Sequence, residues 1–587
     1  MRLVEIRLLE GPNVYRLEPA AKVEVAVGRR RTWYGQRAPA RHSLVHLAAR
    51  VPAADWPPEV AVLVAWIRRL RAEHGEGAAG TWVHRSSDPG HWIVTSPWRG
   101  LERAREVCEA AVALAERNVA PARSARLPPA QQRLLDRLTE RIGAARETRP
   151  TLVRDAERRM PIVSISGTNG KTTVTRLITH ILLLAGHHVG TTTSDGILVD
   201  ERLVDAGDWT GPGGAHQILD RRDVDVAVLE TARGGILLRG LGYESNDASV
   251  VTNISSDHLD VQGIHTLPEL AEVKAVVARI TRPDGWVVLN ADDPLVAAIA
   301  RRVRARVAFF SMDPPRTAAL QRHVGRGGRA YVLQHDRIVE HAPDRVTTII
   351  RIGDVPIALG GLARHNVANA LAAAAGARAM GASVQQVADG LRDFRPSVER
   401  SPGRLNIFRV GSRIVIVDFA HNEAGLAAVL DVAEGIAGGA AGRAAPVTAI
   451  IGTAGDRPDD TLRGIGRIAA VRAQRVAIKE TPRYLRGRTR ESVIGELLAG
   501  VASAGVPSDG VPVYPSETAA LRTELAGGDG VLPPGARPDA ARVIVLLCHE
   551  ERTEVFRAIE DLGGRPVDVA SELTELVPRL QERPRRP

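Results

Sequence analysis

Near the N-terminus apolar and polar positions alternate with a period of two, in RLVEIRLLE and KVEVAVG. They then switch to helical spacing in VAVLVAWIRRL and LERAREVCEAAVALAER. The first period suits half-buried strands and the second amphipathic helices, so residues 1 to about 120 read as a small α+β unit. From NVAPARSARLPPAQQ through RIGAARETRP one helical stretch lies between proline-rich breaks. It reads as a connector into the next domain, with a boundary near residue 150.

Beyond it, short apolar runs (MPIVSIS, VDVAVLE, ASVVTNI, GWVVLN) alternate with helical stretches such as TTVTRLITHILLLAG. Alternation of this kind predicts a mostly parallel sheet with crossover helices. After the alanine-rich ALAAAAGARAMGA a second α/β series starts at RPSVERSPGRLN, with RIVIVDFA, VTAIIGTA, RVAIKE and ARVIVLL as strands. The expected organisation is α/β multidomain: an N-terminal α+β module (1–150), a central mostly parallel domain (151–398) and a C-terminal Rossmann-like domain (399–587).

The composition narrows the function classes. Two cysteines, Cys108 and Cys548, are too few for a disulfide framework or a four-cysteine zinc site. No apolar stretch reaches the roughly 20 residues that span a bilayer, and the start MRLVEIRLLEGPNVY lacks a signal-peptide layout, so a cytoplasmic protein without a membrane partner is expected. The net charge of +10 is spread along the chain, RPRRP being the cluster at its end, and aromatics are 3%. Nucleic acid is therefore not expected as a partner, whereas acidic small molecules such as nucleotides fit the charge.

Only four of the 78 basic residues are lysines: Lys22, Lys171, Lys274 and Lys479. A chain so biased to arginine keeps lysine where guanidinium will not serve, although for Lys22 chance suffices.

Lys171 lies in SGTNGKTT, between a predicted strand and a predicted helix. In that context loop amides and the helix start both face an anion, so Gly167, Thr168, Asn169, Gly170, Lys171, Thr172 and Thr173 read as a phosphate loop. The two glycines are closer together than in the commoner phosphate loop. Lys171 still maps to the β/γ-phosphates and Thr172 to Mg²⁺. Glu230, at the end of VDVAVLE, offers a carboxylate at a strand's carboxyl end, where α/β proteins bind ligands. The next strand ends in Asn253, Asp257, His258 and Asp260, groups suited to Mg²⁺ or to orienting its ligands. Lys274 lies four residues after Leu270 and three before Val277, on an apolar helix face. Desolvation there would favour its neutral amine, the form that takes up CO₂ as a carbamate, whereas a surface lysine would merely snorkel.

SGTNGKTT, LETARGGI, TNISSDHLD followed by Lys274, RHNVANALAA, SPGRLN and VDFAHN, in this order, resemble the Mur ligase superfamily over roughly residues 158–560. TTTSDGILVD, GDWTGPGGA, VLNADDP, GDRPDD and RGR are similar to its cyanophycin synthetase branch, as is EIRLLEGPNVY at the N-terminus. The resemblance implies an ATP-dependent, ADP-forming ligase that phosphorylates a carboxylate and passes the acyl group to an amine. It implies Lys171, Glu230, His258 and Lys274 as catalytic residues. Thr172 and Glu230 would hold one Mg²⁺; His258 and carbamylated Lys274 would hold a second. Asn366 would meet the adenine, and Arg404, Asp418 and His421 would reach ATP from the C-terminal side. Thr193, Asp195 and Arg233 would face substrate.

The branch resembled carries an ATP-grasp domain between its N-terminal and Mur-like parts, for which the connector here leaves no room. The expectation is a chain limited to adding an amino acid to a carboxylate acceptor, such as a peptide aspartate made by a separate ATP-grasp enzyme. Folate-type polyglutamate ligases start close to the phosphate loop, and cell-wall ligases carry a nucleotide-sugar domain whose fingerprint is missing here. A nucleotide-binding protein without turnover is the alternative from another class. Asp456, Asp459 and Glu480, in the loops GTAGDRPDD and AIKETPRYLRGR, would face a cationic donor such as arginine or lysine. The plainer alternative makes them solvated loop charges, partly neutralised by Arg457 and Arg483. A homo-oligomer is compatible with all of this.

Overall fold

The computed structural model describes residues 1–28, 49–122, 126–256, 259, 261–312, 318–438, 445–527, 542–569 and 571–572. Among them are three separate sheets, of four, eleven and seven strands.

The N-terminal sheet is antiparallel, ordered Arg2–Leu9, Ala20–Ala26, His91–Pro97, Trp82–Arg85. Helices Pro58–Glu73 and Leu101–Glu116 cover one face, burying Leu63, Trp66, Ile67 and Leu114 against Val23, Val25 and Val94. The stretch read as a connector forms helix Pro129–Ala144, and its Leu135, Leu138 and Ile142 belong to this same core. It completes the module instead of merely leading out of it. The ion pairs of Lys22 with Glu5 (3.1 Å) and Glu24 (2.8 Å) also give that lysine a structural place that chance does not supply.

In the eleven-stranded sheet seven central strands are parallel: Arg329–Gln334, Arg306–Ser311, Thr281–Asn290, Asn246–Val251, Ile162–Ser166, Val226–Glu230 and Val189–Thr192. An antiparallel pair extends each edge. Val163, Ile165, Val228 and Val250 face a layer containing helices Lys171–Leu184 and Arg364–Ala379. Ile162, Ala227, Leu229 and Val251 face the other layer, with helices Pro212–Leu219 and Leu267–Lys274. Burial of both faces explains why these strands read as continuous apolar runs rather than alternating ones.

The seven-stranded sheet has five parallel strands, ordered Val513–Tyr514, Arg475–Lys479, Val447–Ile451, Arg542–Leu547 and Arg413–Asp418, then antiparallel Asn406–Val410 and Arg565–Pro566. Helices pack on both faces, giving the expected Rossmann-like layering. No helix among the described residues is long and apolar enough to cross a membrane.

Candidate active site

A cavity of about 380 Å³ opens where the carboxyl ends of the central parallel strands face the C-terminal sheet. One wall is the phosphate loop. Gly167 and Gly170 both have left-handed backbone, φ 144° and 84°. A Cβ at Gly167 would come 1.9 Å from Thr252 Oγ1, and one at Gly170 would come 2.2 Å from Asn369 Oδ1. Both positions therefore demand glycine on conformation and on space.

The neighbouring strand end holds the loop in place. Thr168 N–H donates to the Asn253 carbonyl at 2.8 Å, Asn169 N–H to Asn253 Oδ1 at 2.9 Å, and Thr252 Oγ1 to the Asn169 carbonyl at 2.7 Å. Lys171 Nζ folds back onto the Thr168 carbonyl at 2.9 Å. Lys274 is buried, as its apolar helix face requires, and its Nζ donates to the Gly167 carbonyl at 2.5 Å. The snorkelling alternative is excluded. Asp257, His258 and Asp260 lie outside the described residues.

Glu230 ends its strand 3% exposed, and burial raises its carboxyl above the usual range, against the pull of Lys171 and Arg404 and a hydrogen bond from Thr172. Its Oε2 is buried without a hydrogen-bond partner. An orphaned carboxylate oxygen beside a threonine hydroxyl suits a hard, oxygen-seeking divalent cation.

The opposite wall comes from the C-terminal side. Arg404 Nη2 reaches Thr172 Oγ1 at 3.4 Å and Ser194 Oγ at 3.3 Å, with its guanidinium carbon 4.5 Å from the Phe419 ring centre. Its buried Nε has no partner. Asp418 accepts from Leu405 N–H and Ala420 N–H, each at 2.8 Å, and burial pushes its carboxyl up. His421 lines the cavity with Nδ1 3.0 Å from the Phe419 carbonyl. Asn366 also lines it, its Nδ2 donating to the Ile357 carbonyl and its Oδ1 accepting from Asn369, each at 3.0 Å. The cofactor-binding residues named from sequence thus meet around one cavity, except Gly167, which backs the loop.

The substrate set is scattered. Thr193 is fully buried, and its hydroxyl caps a turn by accepting from Asp195 N–H (3.1 Å) and Gly196 N–H (3.2 Å). Asp195 is held by Arg176 (3.0 Å) and Arg552 (2.9 Å) and serves as a link between sheets. Arg233 opens helix Arg233–Leu238 and reaches the Val261 carbonyl at 3.4 Å. Asp456 pairs with Arg486 (2.6 Å) and Arg457 (3.6 Å), Asp459 with Arg488, and Glu480 with Arg490. This favours the plainer reading of these acids, with guanidiniums of the RGR segment and its successor as the partners where Arg483 was expected.

Sequence reasoning missed Asn422, Arg176, Ser194, Asn369 and His365. Asn422 Nδ2 donates to Asn169 Oδ1 at 3.0 Å, joining the phosphate loop to the C-terminal side. Arg176 is the one arginine of helix Lys171–Leu184 and is buried there, a signal that could have revealed it.

Residues 165–377 match the Mur ligase middle domain. The chain is similar to cyanophycin synthetase of Trichormus variabilis, 42% identical over 343 residues, 58% of this chain and 37% of that protein. It is also similar to UDP-N-acetylmuramoylalanine--D-glutamate ligase of Symbiobacterium thermophilum, 34% identical over 237 residues, covering 40% and 45% of the two chains. The chain thus spans less than half the length of these curated relatives. Among solved structures, E. coli FolC in complex with DHPP and ADP aligns at 19% identity and a TM-score of 0.49, covering 69% of this chain and 90% of that one. The matched stretch contains the phosphate loop, Glu230, Lys274 and Asn366; Arg404, Asp418 and His421 lie beyond it.

Proposed function

We propose that the chain is an ATP-dependent, ADP-forming acid–amino-acid ligase. The observation that carries the reading is the unpartnered Glu230 oxygen, set beside Thr172 at the head of a phosphate loop whose left-handed glycines leave backbone free to approach an anion. Thr172 and Glu230 would hold Mg²⁺, with His258 and a carbamylated Lys274 holding a second ion. Bound there, magnesium neutralises phosphate charge. Lys171 and Arg404 flank the same point and act on charge developing at the transferring phosphoryl group. Asn366, Asp418 and His421 would contact the nucleotide.

In the first step an acceptor carboxylate oxygen bonds to the γ-phosphorus as the bond to the β,γ-bridging oxygen breaks, releasing ADP. In the second the donor nitrogen bonds to the acyl carbon, phosphate leaves with the carbon–oxygen pair, and the nitrogen gives up a proton. Similarity to cyanophycin synthetase supports an amino acid joined to a peptide carboxylate. Between His91–Pro97 and Ile162–Ser166 the described residues form helices Leu101–Glu116 and Pro129–Ala144 and no sheet, so the peptide backbone would come from a separate ATP-grasp enzyme.

The test incubates the protein with ATP, Mg²⁺, single amino acids and acidic peptides, reading phosphate release and product mass. Phosphate formed together with a product heavier by one residue is expected. ADP without an amide product across the array would overturn the reading.

A further inference from the structure

Buried Lys479 and Glu517 and half-buried His549 form a group that the phosphate chemistry does not use. Lys479 ends strand Arg475–Lys479 with its side chain wholly out of solvent. Gly452 makes room for it, since a Cβ there would come 2.7 Å from Lys479 Cε and 2.4 Å from its carbonyl oxygen. Beyond that gap Nζ meets Glu517 Oε1 at 2.6 Å and His549 Nδ1 at 2.9 Å.

Glu517 is fixed in turn by His549 N–H (2.6 Å), Glu551 N–H (2.8 Å) and Cys548 Sγ (3.0 Å). Burial raises its carboxyl, but the Lys479 ammonium, with the hydrogen bond from Glu551 N–H, outweighs that and draws it down to about 2. An ammonium donates and never accepts, so His549 Nδ1 is the unprotonated nitrogen and the ring proton sits on Nε2. That Nε2 lies 3.0 Å from the Ala420 carbonyl and donates to it. Burial, with Lys479 alongside, keeps the ring neutral.

Ala420 lies in Asp418–Asn422, the segment that forms the C-terminal wall of the cavity. The next carbonyl, of His421, accepts from Thr453 Oγ1 at 3.3 Å, and the Thr453 carbonyl accepts from Thr481 Oγ1 at 2.8 Å. Two strand ends thus grip consecutive carbonyls of one segment, whose Asn422 then contacts the phosphate loop.

We propose that His549 is a positioning residue for nucleotide binding: Lys479 fixes its tautomer, and its Nε2–H sets the Phe419–Asn422 segment against the phosphate loop through the Ala420 carbonyl. The proposal rests on the ligase reading only in taking this cavity as the nucleotide's. His549→Asn places an amide oxygen where Nδ1 accepts from Lys479 but leaves nothing to donate to Ala420. His549→Gln places an amide nitrogen where Nε2 donates.

The test uses full-length protein, with MgADP affinity by calorimetry and steady-state kinetics in ATP. His549→Asn is expected to raise both Kd for MgADP and KM for ATP roughly tenfold, with kcat within about threefold, and His549→Gln to restore Kd to within about threefold of wild type. Wild-type Kd in His549→Asn with only a lowered Tm would overturn the proposal, as would a His549→Gln variant as weak as His549→Asn. Wild-type protein that binds MgADP yet makes no amide defeats the ligase reading while the two variants still decide the positioning role. Wild-type protein that binds no nucleotide defeats both.

Discussion

Arg552 Nη1 lies 2.9 Å from Asp195 Oδ1, and through this pair a helix of the C-terminal sheet grips a turn of the central one. Burial would push the Asp195 carboxyl up, but Arg404, Arg552 and Arg176 outweigh it and hold it below the usual range. Arg552→Met removes one cation and leaves Asp195 its contact with Arg176, so the fold should survive. KM for ATP is expected to rise about tenfold as the cavity walls lose register. Unchanged KM and kcat would show that the pair does not hold the site together.

Lys171→Ala should lower turnover at least about a hundredfold, the scale of losing one preorganised charge at a transferring group. The side chain's bond to the Thr168 carbonyl is local to the loop, so the circular-dichroism spectrum should not change. Normal substrate-dependent phosphate release in the variant would refute the site assignment.

Lys274 is expected to carry a carbamate in the active protein. ¹³C-bicarbonate should give a carbamate carbon resonance that Lys274→Arg lacks, and that variant should be inactive because guanidinium does not form the adduct. Full activity in Lys274→Arg would sink the assignment.

Burial lowers His365, on the cavity wall, to about 4, against a weaker upward pull from Asp431. The unfolded chain takes up a proton near 6.5 that the folded protein resists until about 4. The stabilisation is therefore full above pH 6.5 and lost as pH falls towards 4. It amounts to at most about 3 kcal/mol, reduced by the solvent that reaches the ring. Thermal unfolding of His365→Leu should depend less on pH between 7 and 4.5 than that of wild type; identical slopes would contradict this.

Neutralising Asp456 and Asp459 together should leave the donor's KM within about twofold, since both carboxylates already face arginines and exposed pairs of this kind contribute about 1 kcal/mol or less. A large rise in KM measured with arginine as donor would return these residues to the donor site.

The sequence revealed most where chemistry and backbone coincide. Gly167, Gly170 and Lys171 fall together because a phosphate loop needs special dihedrals, close approach and charge within a few residues. Apolar runs buried on both faces announced the parallel strands. The antiparallel edge pairs were missed because exposed strands such as Arg202–Ala206 carry little apolar pattern. Asp195 shows a limit of another kind. Its partners Arg552 and Arg176 lie at separations that no local pattern encodes, so a substrate group and a structural anchor look alike in sequence. The paired acids Asp456 and Asp459 show the same limit, since Arg486 and Arg488 neutralise them only once two loops meet.

Every lysine is engaged away from open solvent: Lys22, Lys274 and Lys479 are buried, and half-buried Lys171 lies on its own loop. The folded protein therefore offers almost no ε-amino group to acylating reagents, which should label it chiefly at the α-amino end. A lysine-specific endoproteinase meets its four cleavage points only when the chain opens, so the rate of that digestion is a direct clock for unfolding.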